Sequence, residues 1–494
     1  MRPDNFKKIK HVVVLMMENR SFDWMAGWLY APSNKSPNGD PFEGLTGTES
    51  CPDASGKQVP VFHGTDVKAP LPDPGEEFDY VTNQIYGSPL APMKGFVIDY
   101  SRAIKQHNQG RIFRSCTKPA AIMGCFRAES LPVLSALARN YAICDHWFCS
   151  VPSQTWPNRS FVHAATSSGM INNNKPGARI PTPNDTTTVF NVLESKGVNW
   201  AIYWDHEDIV GPLAWLAQDR LKGLRSHFFS MGRFIDDAGN GRLPAYSFIE
   251  PRFILDHNDQ HPGRFTFPPT FAEKITKGEA LMRKVYEAVR TSPQWNETML
   301  VITYDEHGGC YDHVEPPKAV PPDGPGEQGF LFNRLGVRVP TLVISPYTQV
   351  GQVFRAPAGQ NFDHTSIIKT VMELFYSGYN SATDSLTPRD QAAPDLSPAL
   401  QLPENPVGPI TNPRTDYPEI PTPEQSWEAT NDPRARQLPL SEFQTSIVTA
   451  ARLKMRGETA LRAEATPPQL RTVDDALQHL RDLGPMLEEE AISQ

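Results

Sequence analysis

IKHVVVLMMENRSFD, residues 9–23, runs through β-branched and long apolar side chains and then turns polar at Glu18, Asn19 and Arg20. An apolar run this short and this rich in valine reads as a buried strand over His11–Met16. TMLVITYDEHGG, residues 298–309, repeats the pattern: a strand over Met299–Thr303, then Asp305 and Glu306, then Gly308 and Gly309, which permit a tight backbone turn. Working outward, Asn199–Trp204, Tyr246–Ile249 and Val337–Ile344 read as further strands. Between them, LPVLSALARNYA (131–142) and GEALMRKVYEAVR (278–290) place their apolar residues at helical spacing. Strands alternating with helices predict an α/β domain with a largely parallel sheet. Ligands of such sheets bind beyond the carboxyl ends of the strands, so the polar residues that follow each strand are the ones to inspect.

Composition narrows the function classes. With 494 residues the chain can bury a large core, and a formal charge of -9 argues against nucleic acid as a partner, since phosphate-backbone binding shows as a basic excess. The 48 prolines are about twice the usual ~5% share and imply long shaped loops, where sites are commonly built. Six scattered cysteines suggest packed free thiols rather than a disulfide framework. No stretch approaches the roughly 20 apolar residues of a membrane span, and the first apolar run is followed by charge rather than by a cleavage site. The expectation is a soluble protein, cytoplasmic or exported by a route that needs no signal peptide. Residues 1–385 are expected to form the α/β domain. Residues 386–494 are expected to form a proline-rich wrap, about Pro388–Pro439, followed by helices marked by Ser441 with Gln444 and by Val473, Leu477 and Leu480. Whether that tail packs on the core or on another subunit is open at this level.

Three constellations carry chemistry. If the two strand ends are neighbours, Glu18, Asn19, Asp305 and Glu306 converge, and such a cluster repels itself unless a cation or shared protons neutralise it. Oxygen-only donors favour calcium or magnesium and also admit zinc or manganese. Taken singly, Glu18 or Asp305 would equally serve as a helix cap. The second signal is CSVPSQTWPNRSFVHAATSSG (149–169), where Thr155 sits in a bend ahead of a helix expected to begin near Asn158 or Arg159. A hydroxyl there faces backbone N–H groups suited to a phosphate, and a bound cation would make it a nucleophile; a plain proline-ordered turn is the alternative. Third are the histidines: His261, His307, His313 and His364, with His206 and His227 weaker, any of which could supply a proton near neutral pH.

In this order the segments VVVLMMENRSFD, DPGEEFDYVTNQIYGSPLAPMKGF, LPVLSALARNYAICDHWFCSVPSQTWPNR, SPQWNETMLVITYDEHGGCYDHV and RLGVRVPTLVISPY resemble the bacterial phospholipase C and acid phosphatase family. The resemblance is greatest to the branch that includes the plant non-specific phospholipases C, and it covers roughly residues 7–375. It implies an alkaline-phosphatase-like α/β sandwich and one divalent metal held by Glu18, Asn19, Thr155, Asp305 and Glu306. Thr155 would be the nucleophile, forming a phosphothreonine that water hydrolyses. His261 and His364 would be catalytic histidines, His261 the first choice of proton donor, while Glu76, His227 and His307 would line the substrate site. The implied substrate is a phospholipid or a small phosphoester, with a phospholipase C activity favoured over a broad acid phosphatase. Any membrane contact would be peripheral, through Trp24, Trp28 and Leu29 unless those begin a packed helix. One departure stands out. Where the family usually has DPGH this chain has DPGE, so Glu76 replaces a residue resembling a phosphate contact. A carboxylate there disfavours dianionic monoesters more than monoanionic diesters, or favours acidic pH, unless Glu76 points outward.

Overall fold

The computed structural model describes residues 3–64, 69–88, 90–109, 117–173, 184–205, 213–254, 257–262, 275–402, 421, 440, 442–456, 471–476 and 478–479. Along the chain its strands are β1 (His11–Met17), β2 (Ser50–Pro52), β3 (Gln58–Pro60), β4 (Phe62–Gly64), β5 (Gly124–Phe126), β6 (Ala142–Cys144), β7 (Trp200–Trp204), β8 (Phe228–Ser230), β9 (Tyr246–Glu250), β10 (Thr298–Tyr304), β11 (Thr341–Ile344) and β12 (Gln352–Phe354). Eight of them form one sheet in the order β12-β6-β11-β10-β1-β9-β7-β8, and two small pairs, β2 with β3 and β4 with β5, lie apart. Among the described residues, only β11 runs against its neighbours; every other pairing in the main sheet is parallel. This is the expected α/β class, with helices flanking a largely parallel sheet.

The two strands first read from the sequence are adjacent at its centre. Their register runs from His11 opposite Thr298 to Met17 opposite Tyr304, so the chain leaves both strands at the same level. Val12–Met17 and all of β10 are buried, which is why both read as continuous apolar runs: a sheet covered on both faces has no solvent side to alternate toward. The strand expected over Val337–Ile344 begins only at Thr341, because Pro340 has no N–H for the ladder; Arg338 makes an isolated bridge to Phe148 instead.

The expected helices are Pro132–Asn140 and Thr276–Arg290, and they pack on one another. Five cysteines, at positions 51, 125, 144, 149 and 310, are free and buried; Cys116 lies outside the described residues. Trp24 and Leu29 are buried, Trp24 in the helix Phe22–Ala26, and neither is offered to a membrane. No helix among the described residues is long and apolar enough to cross one. Most of the proline-rich stretch, with Ser441, Leu477 and Leu480, falls outside the described residues. What is described beyond residue 385 packs closely. Arg389 is buried and pairs with Asp363 at 3.0 Å, and Leu396, Ala399 and Leu400 join the core. The helix Glu442–Arg456 buries Ile447 and Val448, and Ser446 Oγ accepts the indole N–H of Trp156 at 2.9 Å.

Candidate functional site

Glu18 and Asn19 leave β1, and Asp305 and Glu306 leave β10, at the shared level that the register sets. The two turns are stitched together: the Arg20 N–H donates to the Glu306 carbonyl, and Asp305 Oδ1 accepts the N–H groups of Asn19 (3.1 Å) and Glu306 (2.7 Å). Asn19 has φ of 54°, in the left-handed region that costs an ordinary residue strain and that clusters at functional sites. The glycine pair makes room for it. Gly308 and Gly309 both have positive φ; a Cβ on Gly308 would stand 2.2 Å from the Asn19 carbonyl oxygen, and one on Gly309 would stand 2.5 Å from that of Gly75. The loop bearing Glu76 therefore docks directly on the strand-end turns.

Thr155 reaches the same place from a third element. Its helix, Thr155–Ala164, starts earlier than the bend suggested, since Pro157 falls in the first turn, where no N–H is owed to the helix. The Thr155 hydroxyl donates to Glu18 Oε2 at 3.1 Å. One turn on, Arg159 donates to Glu18 Oε1 from Nε (2.9 Å) and stands 2.7 Å away with Nη2, while its Nε is 3.5 Å from Asp305 Oδ2. Burial opposes the Arg159 charge, but Glu18 and Asp305 outweigh it and its pKa is raised. Burial, then the neighbouring Asp305, raises the pKa of both Glu18 and Glu306. For Glu76 burial is again first, followed by Glu306 and Asp73. One arginine does not neutralise this many acids.

Glu76 points inward and is buried. Its Oε2 accepts from Asn19 Nδ2, and its Oε1 accepts from Gln154 Nε2 at 3.3 Å. His261 joins it, with Nε2 3.0 Å from Asn19 Nδ2 and Nδ1 3.1 Å from the Pro262 carbonyl. His364 receives the Trp147 indole N–H on Nδ1 (3.3 Å) and stands 2.6 Å from the Asp305 carbonyl with Nε2, so it braces Asp305 from behind. His307 is buried, 2.8 Å from Gln84 Oε1, and burial alone pushes its pKa down to about 3. His227 is not brought to the cluster. It precedes β8 at the sheet edge, stacks on Trp200 at 4.1 Å between ring centroids and pairs with Glu194 at 3.3 Å. His206 lies outside the described residues.

Within the cluster, Asn19 Oδ1, Asp305 Oδ2 and Glu306 Oε1 are buried and accept no hydrogen bond. Three buried oxygens that accept no hydrogen bond, one of them 3.5 Å from Arg159 Nε, in a cluster whose raised carboxyl pKa values mark mutual repulsion, fit a hard cation. Two further groups bring carboxylate and imidazole atoms within 4.8 Å of one another: Asp73, Glu76 and His261, and Asp23, Asp312 and His313. The acidic clusters are thus compatible with metal binding.

Arg159 carried no role in the sequence reading, although it stands four residues after Thr155 and so on the same helix face. The Phosphoesterase family pattern matches residues 9–376. The chain belongs to the phosphoesterase family. It is 36% identical over 460 residues to non-specific phospholipase C6 of Arabidopsis thaliana, covering 90% of this chain and 80% of that one. Non-specific phospholipase C1 of the same plant is 37% identical, with 90% and 79% covered. Phospholipase C A of Mycobacterium tuberculosis is 27% identical, with 81% of each covered. Among solved structures, a protein in the alkaline phosphatase superfamily from Vibrio parahaemolyticus overlaps 54% of this chain and 63% of its own, at 9% identity and a TM-score of 0.30. As a phosphoesterase this chain is a phosphoric ester hydrolase.

Proposed function

We propose that this phosphoesterase is a metal-dependent phospholipase C that cleaves glycerophospholipids to diacylglycerol and a phosphorylated head group. The observation that carries the reading is the Thr155 hydroxyl held on Glu18 beside three buried oxygens that accept no hydrogen bond. The names of the relatives, phospholipase C in plants and bacteria, support phospholipid as the substrate class. One divalent cation held by Glu18, Asn19, Thr155, Asp305 and Glu306 would supply positive charge for phosphate oxygens and acidity for the threonine hydroxyl. The all-oxygen donor set favours calcium or magnesium, and zinc or manganese accept it too.

The residues themselves do the rest. Thr155 Oγ bonds to phosphorus as the bond from phosphorus to the diacylglycerol oxygen breaks, and its proton passes to Glu18 Oε2, already 3.1 Å away. His364 and His261 hold Asp305 and Asn19, so we assign the proton of the leaving oxygen to water. Water then attacks the phosphothreonine and the P–Oγ bond breaks; the proton held on Glu18 returns to Oγ, the attacking water's proton neutralises the hydroxide left when the alcohol was protonated, and the phosphorylated head group departs. Arg159 keeps Glu18 turned toward Thr155 throughout. We assign peripheral contact with a phospholipid surface to the patch where Arg334 lies over the rings of Phe78, Tyr86 and Phe330, with Tyr86 and Leu331 exposed.

The crowded acids favour a monoanionic diester over a dianionic monoester. Phosphatidylcholine vesicles and a chromogenic diester should therefore be hydrolysed faster than a chromogenic monoester; turnover of the monoester alone would sink the lipase reading. Thr155→Ala should lower turnover by at least about 10³-fold with phosphate still bound, as loss of a nucleophile does elsewhere, and full activity would refute the nucleophile assignment.

A further inference from the structure

The Asn19 amide is held from its nitrogen side. Both hydrogens of Nδ2 are spoken for, one by Glu76 Oε2 and one by His261 Nε2 at 3.0 Å, while Oδ1 accepts nothing. The orientation follows from the partners, because turning the amide over would press Oδ1 against the Glu76 carboxylate. His261 must then present an unprotonated Nε2, with its proton on Nδ1 toward the Pro262 carbonyl, 3.1 Å away. Glu76 is itself held on its other oxygen by Gln154 Nε2 at 3.3 Å. A neutral histidine at position 76 has a single acceptor nitrogen and could not serve Asn19 and Gln154 together. Gly308 and Gly309, through the close approach to the Asn19 and Gly75 carbonyls, seat both partners of this bond against the same turn.

We propose that Glu76 is a positioning residue that acts through Asn19, turning Asn19 Oδ1 toward the divalent cation, and that it does not contact the substrate. The assignment rests on the metal centre proposed above. Outer partners of this kind commonly alter metal affinity 10–100-fold when removed. What matters at position 76 is the acceptor rather than the charge, and this separates the role from general electrostatics.

Calorimetric titration of the metal-stripped full chain with calcium, and separately with zinc, tests it without any turnover. Glu76→Gln keeps an acceptor oxygen for Asn19, giving up only the longer bond from Gln154, and should bind within about threefold of the parent, whereas Glu76→Met should bind at least about tenfold more weakly. Glu76→Ala serves the same purpose if the methionine variant does not fold. Asn19→Gly accepts the positive φ and removes the amide; in that background Glu76→Met should cost nothing further, a non-additivity that a structural disturbance would not produce. Equal binding by Glu76→Met and the parent, an equal loss in Glu76→Gln and Glu76→Met, or additive losses with Asn19→Gly would each overturn the proposal. Asp305→Asn separates the two readings. If it binds like the parent, or if neither binds, the metal centre fails. If it alone is weakened, only the role of Glu76 fails.

Discussion

Two buried acid clusters grow from the carboxyl ends of β1 and β10 only a few residues apart, and they are finished differently. In the farther one, Asp23 Oδ1 and Asp312 Oδ1 accept from Arg338 at 2.9 and 3.0 Å. Asp23 Oδ2 takes the His313 N–H and stands 2.6 Å from its Nδ1, and Asp312 Oδ2 takes the Asp23 N–H. Every carboxylate oxygen has a donor. In the nearer cluster Arg159 is shared between Glu18 and Asp305, at 3.5 Å from Asp305 Oδ2, and Asn19 Oδ1, Asp305 Oδ2 and Glu306 Oε1 accept no hydrogen bond. Both groups are rich in acids, so acid count does not separate a structural knot from a site. Hydrogen-bond satisfaction distinguishes these two: one is closed within the chain, and the other leaves acceptor oxygens for something the chain does not itself provide, as the metal centre proposed above requires.

The sharpest way to break this contrast is to open the closed cluster. Arg338 is fully buried and also donates to the carbonyls of Glu43 (2.9 Å) and Asp145 (2.8 Å). Arg338→Met should cost about 3–5 kcal/mol in urea unfolding, the penalty for leaving paired buried acids without their cation. A cost below about 1 kcal/mol would show that the cluster is not the closed knot described.

The contrast also marks what could be read in the sequence. The apolar runs ending abruptly at Glu18 and Asp305 announce strand ends, and burial on both faces makes those runs continuous, so the centre of the sheet was legible. The three-residue strands β6, β8 and β12 are too short to show any period, and they were not. Thr155 was expected before its helix, because a proline two residues on reads as a bend rather than as part of a first turn. Arg159 meets Glu18 across 141 residues of chain, and nothing local announces such a partner. His227 carries the same side chain as His261, and only tertiary placement sends one to the sheet edge and the other to Asn19.

Closing the open cluster should have the opposite sign. Asp305 lies between Glu18, Glu306 and a shared arginine, and Asp305→Asn removes one charge from a group that repels itself. In metal-stripped protein this variant should be as stable as the parent or more stable by about 1 kcal/mol, as sites that trade stability for function do. Calcium should raise the unfolding temperature of the parent and leave that of the variant unchanged. A metal-free variant less stable than the parent would mean that the open cluster is held together by its charges and differs from the closed one only in detail.

The smallest effect belongs to the other end of the same two strands. Lys10 precedes β1 and Glu297 precedes β10, and they form an ion pair whose side chains are 63% and 43% exposed. Water and salt screen such a pair, so Glu297→Gln should change stability by at most about 1 kcal/mol, less still at high ionic strength. Activity should not move, because the substitution lies across the full length of β10 from Asp305. Between these ends the chemistry is the same, an acid facing a cation off neighbouring strands, and only desolvation differs. A cost near that of Arg338→Met would remove burial as the explanation for the contrast between the clusters and leave pairing geometry in its place.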